Sequence, residues 1–125
     1  MAIVGLGTDI VEIVRIEKLL ASSSRLAKRV LTSTEWEYFQ STSQPARYLA
    51  KPFAAKEAAA KALGTGIGRG VSFQHIEIRN DDYGAPSVHF TQGAAERLTF
   101  LKGVSAHITI ADELHYAVAT VILES

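Results

Sequence analysis

The chain has 125 residues, the usual length of one domain, with no cysteine and 13 basic against 13 acidic residues. A disulfide scaffold and a thiolate metal site are excluded, a reducing compartment such as the cytoplasm is expected, and bulk attraction to nucleic acid is not. With 47% hydrophobic and 21% charged residues the composition is that of a globular protein.

The N-terminus lacks a basic segment and its apolar run stops at Asp9, so it does not read as a signal peptide. No stretch approaches membrane-spanning length. No repeat or linker appears, and residues 1–125 read as a single domain. Such a chain has little room for both a core and a deep cleft, so a site shared between subunits is expected.

Residues 2–7 read as a short buried strand. A helical pattern then begins near Asp9, with Ile10, Ile13, Val14, Ile16, Leu19 and Leu20 at helical spacing. Ser22-Ser23-Ser24 weakens this helix, and a further turn or two carries Leu26 and Val30. Thr32 and Glu35 have the spacing of a capping box opening a third helix through Trp36 and Phe39. Pro45 to Leu63 is the strongest helix by propensity, centred on Ala54-Ala55 and Ala58-Ala59-Ala60, with Gly64 as its C′ residue. Pro52 within it predicts a kink or a restart.

The second half reads mostly as β. Phe73 to Arg79 alternates, residues 80–84 form a turn, and Ser87 to Phe90 returns. Thr91 is placed to cap a helix ending at Lys102-Gly103. Two strands follow, Ser105–Ala111 and Tyr116–Leu123, the last apolar on both faces and therefore covered on both, by helices or by another subunit. The class is α+β: a single small domain with helices packed on an antiparallel β-sheet.

Several residue groups carry possible chemistry. Gly5-Leu6-Gly7 lacks the third glycine of a dinucleotide fingerprint, and no βαβ unit follows it. Gly64-Thr65-Gly66-Ile67-Gly68-Arg69-Gly70 either cradles phosphate through backbone N–H groups or is a flexible connector. His75, His89, His107 and His115 show no metal-ligand spacing, so zinc is not expected. Asp9 is either an N-cap, aided by Glu12, or a ligand; Glu57 either pairs with Lys61 on a helix surface or is a ligand. Lys56 and Lys61 have solvated surface as their bland reading. Together, Asp9 and Glu57 are two hard oxygen donors suited to Mg²⁺, which fills the rest of its shell with water and substrate phosphates.

Five basic residues lie between Arg15 and Arg29 against one acid, Glu17, while residues 107–125 hold three acids and no Lys or Arg. Arg15, Lys18, Ser22, Arg25 and Arg29 make one stripe on a continuous helix, opposite the apolar face. The stripe is either a solvated face or a dock for an acidic partner helix.

Gly5-Leu-Gly-Thr-Asp-Ile-Val-Glu-Ile-Val-Arg-Ile16 and Phe53-Ala-Ala-Lys-Glu-Ala-Ala-Ala-Lys-Ala-Leu-Gly-Thr-Gly-Ile67 closely resemble the two signature segments of the holo-[acyl-carrier-protein] synthases, of the 4′-phosphopantetheinyl transferase family. The likeness runs through Gly84-Ala85-Pro86 and Tyr116–Ala119. It implies Mg²⁺-dependent transfer of 4′-phosphopantetheine from coenzyme A to a serine of acyl carrier protein, for fatty acid synthesis, by a homotrimer with coenzyme A between neighbours. It also implies that Asp9 and Glu57 bind the metal, with Asp9, Glu57 and Lys61 catalytic. Coenzyme A then contacts Lys61, Gly64, Thr65, Gly66 and Pro86, and the carrier docks on Arg15, Leu19, Arg25, Leu26 and Arg29.

Three positions depart from the pattern. Pro52 stands where relatives have an arginine, Ala111-Asp112 where many have Ser-His, and Ser22 takes part of the basic surface. The rival readings are a non-catalytic module whose basic helix captures an acidic partner, and a transferase for another carrier, such as a polyketide carrier.

Overall fold

The computed structural model describes every residue, Met1–Ser125. In chain order the elements are β1 (Ile3–Glu12), α1 (Ile13–Ser22), α2 (Arg25–Val30), α3 (Ser33–Ser41), α4 (Pro45–Ala62), a 3-10 turn (Phe73–His75), β2 (Ile76–Asn80), β3 (Pro86–Phe90), α5 (Gln92–Phe100), β4 (Ser105–Asp112) and β5 (Tyr116–Glu124). The class is α+β, as expected. The strands form two antiparallel sheets, β1-β5-β4 and β2-β3.

β1 is longer than its sequence predicts. Ile10 to Ile16 has helical spacing, yet pairing with β5 holds the chain extended through Glu12, with Asp9 opposite Ala119 and Glu12 opposite Tyr116. Strand alternation then puts Gly5, Gly7, Asp9 and Val11 on one face. Asp9 is therefore a strand residue and caps nothing; the N-cap position of α1 falls to Glu12, which makes no side-chain capping bond.

That face packs against α4, and small residues set how closely. A Cβ added at Gly5 would lie 2.1 Å from the Ala62 carbonyl oxygen, and one at Gly7 2.1 Å from that of Ala58. The Gly-x-Gly pair rejected as a nucleotide fingerprint thus seats a strand on a helix. α4 reciprocates with fully buried Ala54, Ala55, Ala58 and Ala59. It runs uninterrupted through Pro52, which is buried and supplies no N–H to the Tyr48 carbonyl.

One hydrophobic cluster joins α4, the inner face of β5 (Ala117, Ala119, Val121, Leu123), α2 and the 3-10 turn. The other face of β1 and β5 has no helix over it, leaving Leu6 and Ile10 65% and 62% exposed and Tyr116 43% exposed. The chain covers one side of its last strand and leaves the other open.

The Thr32–Glu35 capping box forms as its spacing predicts. The Asp81 carboxylate accepts from the Tyr83 and Ala85 N–H groups and shapes the β2–β3 turn. Thr91 precedes α5, but its hydroxyl makes no cap; it donates to the His75 carbonyl. α1 and α2 are separate helices, because Ser23 adopts an extended conformation between them.

Candidate active site

Asp9 reaches the site from β1, and Glu57 and Lys61 reach it from successive turns of α4. The Lys61 Nζ donates to the Asp9 carboxylate and to the Thr8 carbonyl, both at 3.0 Å. Its side chain is 51% exposed and that of Asp9 19%. Glu57 is half-buried. Burial first, and the negative charge of Asp9 second, push its carboxyl above the usual range; Lys61 and Arg29 pull the other way. Two like charges thus lie near one another at the edge of the core, with a half-exposed ammonium on one of them. The sequence-predicted trio comes together.

The glycine turn follows directly. Gly64 takes the left-handed conformation (φ +80°) that ends α4. Its N–H donates to the Lys61 carbonyl at 2.9 Å, and those of Thr65 and Gly66 to the Ala60 carbonyl at 3.3 and 3.0 Å. These donors close the helix, so these three N–H groups of the Gly64–Gly70 segment already have backbone partners. What the turn offers instead is an open surface: nothing lies within 4 Å of a Cβ built at Gly66.

Pro86, at the start of β3, is not brought to the carboxylates within this chain. It lines a separate cavity of about 740 Å³ with Tyr38, Tyr48, Lys51, Pro52 and Asp112. Two of the departing positions, Pro52 and Asp112, therefore share one wall with the Gly84–Pro86 turn. Asp112 accepts from Arg47 at 2.9 Å and pairs with Lys51 at 3.2 Å. Its burial acts upward on the carboxyl, but the bonds from Arg47 and Lys51 outweigh it and hold the group below its ordinary range.

The basic stripe is split between two helices. Arg15, Lys18 and Leu19 stand exposed on α1; Arg25 and Arg29 are exposed and Leu26 half-buried on α2. Arg29 does more than face solvent. Its guanidinium lies 5.4 Å from the Phe73 ring centroid, and both line a cleft of about 910 Å³ with Lys28, Trp36 and Ile67.

Sequence reasoning missed Lys56. Its side chain is fully buried and bonded to Glu35 at 2.6 Å. A lysine amid five alanines was the available signal, since that face of α4 has no solvent to meet.

The chain belongs to the 4′-phosphopantetheinyl transferase superfamily, whose family model matches residues 5–120. Within it the chain is similar to the holo-[acyl-carrier-protein] synthases. It is 71% identical to that of Shewanella oneidensis over 126 residues, covering 100% of this chain and 99% of the relative. The crystal structure of the Neisseria meningitidis protein superposes with a TM-score of 0.91 at 38% identity, covering 99% of this chain and 100% of the other. That of Bacillus anthracis, solved in complex with CoA (3′,5′-ADP), gives 0.82 at 41% identity, covering 98% and 97%.

Proposed function

We propose that this chain, as one transferase domain over residues 1–125, moves 4′-phosphopantetheine from coenzyme A to a serine of acyl carrier protein. The carrying observation is the convergence of Asp9, Glu57 and Lys61 in a member of this superfamily. The serine oxygen attacks the phosphorus bearing pantetheine, the bond to the bridging oxygen breaks, and adenosine 3′,5′-bisphosphate leaves. Lys61, on an exposed and reorientable stem, holds a phosphate oxygen. Glu57, next to it on α4, is the carboxylate placed to accept the serine proton. The protein's part is positioning and charge stabilisation, as in other phosphoryl transfers.

The donor set suits Mg²⁺. Two carboxylates that repel one another gain from a shared dication, and no third His, Cys, Asp or Glu joins them, leaving room for water and substrate phosphate. Bound there, Mg²⁺ would neutralise pyrophosphate charge.

The carrier docks on Arg15 and Leu19 of α1 and Arg25, Leu26 and Arg29 of α2, where cations surround exposed Leu19 and half-buried Leu26. Carrier KM should therefore rise with salt, and reversal of Arg15 or Arg25 to Glu should raise it further. The uncovered face of β1-β5-β4 is the contact between three copies, which brings the Pro86 cavity and the carboxylates of neighbouring subunits to one coenzyme A. Light scattering that finds a monomer fully active at micromolar concentration would refute the trimer. No helix is long and apolar enough to cross a membrane, which accords with a cytoplasmic enzyme of fatty acid synthesis.

The direct test is incubation with coenzyme A, Mg²⁺ and apo-carrier. The carrier serine should gain the phosphopantetheine mass. A carrier that binds but stays unmodified would make the protein a binding module instead.

A further inference from the structure

Lys56 is buried without any contact to solvent, and its neighbour Glu35 is 3% exposed. Burying such a pair is costly, and an apolar pair of similar volume is often as stable. The bonds it makes show what the charge achieves. Besides Glu35, the Lys56 ammonium donates to the Val30 carbonyl at 2.6 Å and to the Phe73 carbonyl at 3.2 Å. Glu35 in turn accepts from the Thr32 and Ile78 N–H groups, each at 2.8 Å. One ammonium thus ties the end of α2 to the 3-10 turn, and its counter-ion ties α3 to β2.

The two carbonyls flank a contact pair, one belonging to the residue after Arg29 and the other to its ring partner. Val30 follows Arg29, and Phe73 carries the ring on which the Arg29 guanidinium lies. Arg29 is exposed on a six-residue helix and forms no close ion pair, so its direction depends on its backbone, on that ring and on the nearby charge of Glu57. Gln74 adds a weaker tie, donating to the Leu31 carbonyl at 2.6 Å and the Arg29 carbonyl at 3.2 Å. With that tie left in place, loosening the Lys56 grip should shift Arg29 without unfolding α2.

We infer that Lys56 is a positioning residue: braced by Glu35, it fixes Val30 and Phe73 so that Arg29 is presented to the carrier. This rests on the reading of Arg29 as part of the carrier dock. The Lys56–Glu35 pair therefore sets carrier affinity from inside the core, through Arg29.

The experiment uses the full chain with coenzyme A, Mg²⁺ and apo-carrier, and measures both KM values and kcat. In Lys56→Met/Glu35→Gln, which removes both charges together, carrier KM should rise about tenfold while coenzyme A KM stays within about twofold. Arg29→Gln should raise carrier KM to a similar degree. Combining all three changes should add nothing further, because residues acting through one contact are not additive. A folded Lys56→Met/Glu35→Gln protein with a normal carrier KM, or with lower kcat and both KM values unchanged, would leave the pair a stability element and overturn the inference. So would additivity with Arg29→Gln. A normal carrier KM in Arg29→Gln itself overturns the docking reading and the inference with it. Should the charge-free pair not fold, Phe73→Leu removes the ring but keeps the carbonyl: a raised carrier KM supports the chain of contacts, and an unchanged one breaks it.

Discussion

Asp9 and Asp112 stand on the same face of one sheet, on its two outer strands, opposite Ala119 and Ala117 of β5. Both are met by cations from α4, yet the two carboxylates end in opposite states. Asp112 has two partners, Arg47 and Lys51, and Arg47 also donates to the Glu113 and Leu114 carbonyls at 2.7 and 3.0 Å, fixing the β4–β5 turn. Its charge is settled, and its carboxyl is held low. Asp9 has one half-exposed lysine and a second carboxylate beside it, and burial, with that repulsion second, drives Glu57 upward. The same residue type on the same face thus closes the fold at one edge and leaves charge to be answered at the other. Partner count and sign separate the two aspartates, where residue type and strand position do not.

The sharpest test of this contrast is to neutralise the unsettled side. Asp9→Asn and Glu57→Gln should each lower turnover by about 10²-fold or more, the scale for losing one preorganised electrostatic element. Neither should lower Tm in EDTA appreciably. Asp9→Asn loses a half-exposed ion pair worth well under about 1 kcal/mol and relieves repulsion with Glu57 of opposite sign. Excess Mg²⁺ should partly rescue both, since one carboxylate and one amide oxygen remain. Near-normal rates at limiting Mg²⁺ would place Asp9 in the same structural category as Asp112.

The next test moves the unsettled edge away from the helix. A Cβ at Gly7 would meet the Ala58 carbonyl oxygen at 2.1 Å and the Ala62 nitrogen at 2.6 Å, both backbone atoms that cannot rotate aside. Gly7→Ala should cost about 3 kcal/mol, at the upper end for overpacking. Turnover should fall with it, because β1 carries Asp9 two residues on. Thermal unfolding that shows a loss below about 1 kcal/mol would mean that strand and helix separate freely.

A smaller effect is expected on the settled side. Pro52→Arg adds a cation to the cavity shared by Pro86 and Asp112 and restores the helical N–H toward Tyr48. Coenzyme A KM should fall several-fold, through one charge-assisted bond. Arg47 and Lys51 are already held by Asp112, and the new guanidinium is the cation left without a carboxylate there. An unchanged KM would place the nucleotide elsewhere.

What the sequence discloses and what it hides follow the same division. Local chemistry is legible: the capping box at Thr32, the turn at Asp81, the alanine-rich α4 and its Gly64 terminus all form as their spacing dictates. Long-range pairing is not. Ile10, Ile13 and Ile16 repeat with helical period, and partnership with a strand more than a hundred residues later is what keeps Asp9 extended. The Ser22–Ser24 run hints at the break that splits the basic stripe, but the extended Ser23 decides it. Lys56 reads as a surface lysine because its three partners come from other elements. Asp9, Glu57 and Lys61 were legible through the resemblance, whose motifs carry a spatial arrangement that composition does not express.

The last prediction concerns Asp112 alone, and pH decides it. Its folded carboxyl lies below the ordinary aspartate range, so it contributes stability above the unfolded value of about 4, and that contribution disappears as pH falls through the folded value. Asp112→Asn should therefore be less stable than the parent at neutral pH, by about 1 kcal/mol, since the pairs are part-exposed and one partner, Lys51, is 39% exposed. As pH falls below about 4 the two Tm curves should converge, because the parent loses the charge that the variant lacks. Asp9→Asn should show no such neutral-pH deficit to recover. A constant gap at all pH values would mean that Asp112 acts through the shape of its hydrogen bonds, which an amide keeps only in part, and not through charge. A gap that closes for both aspartates alike would abolish the distinction between the two edges of the sheet.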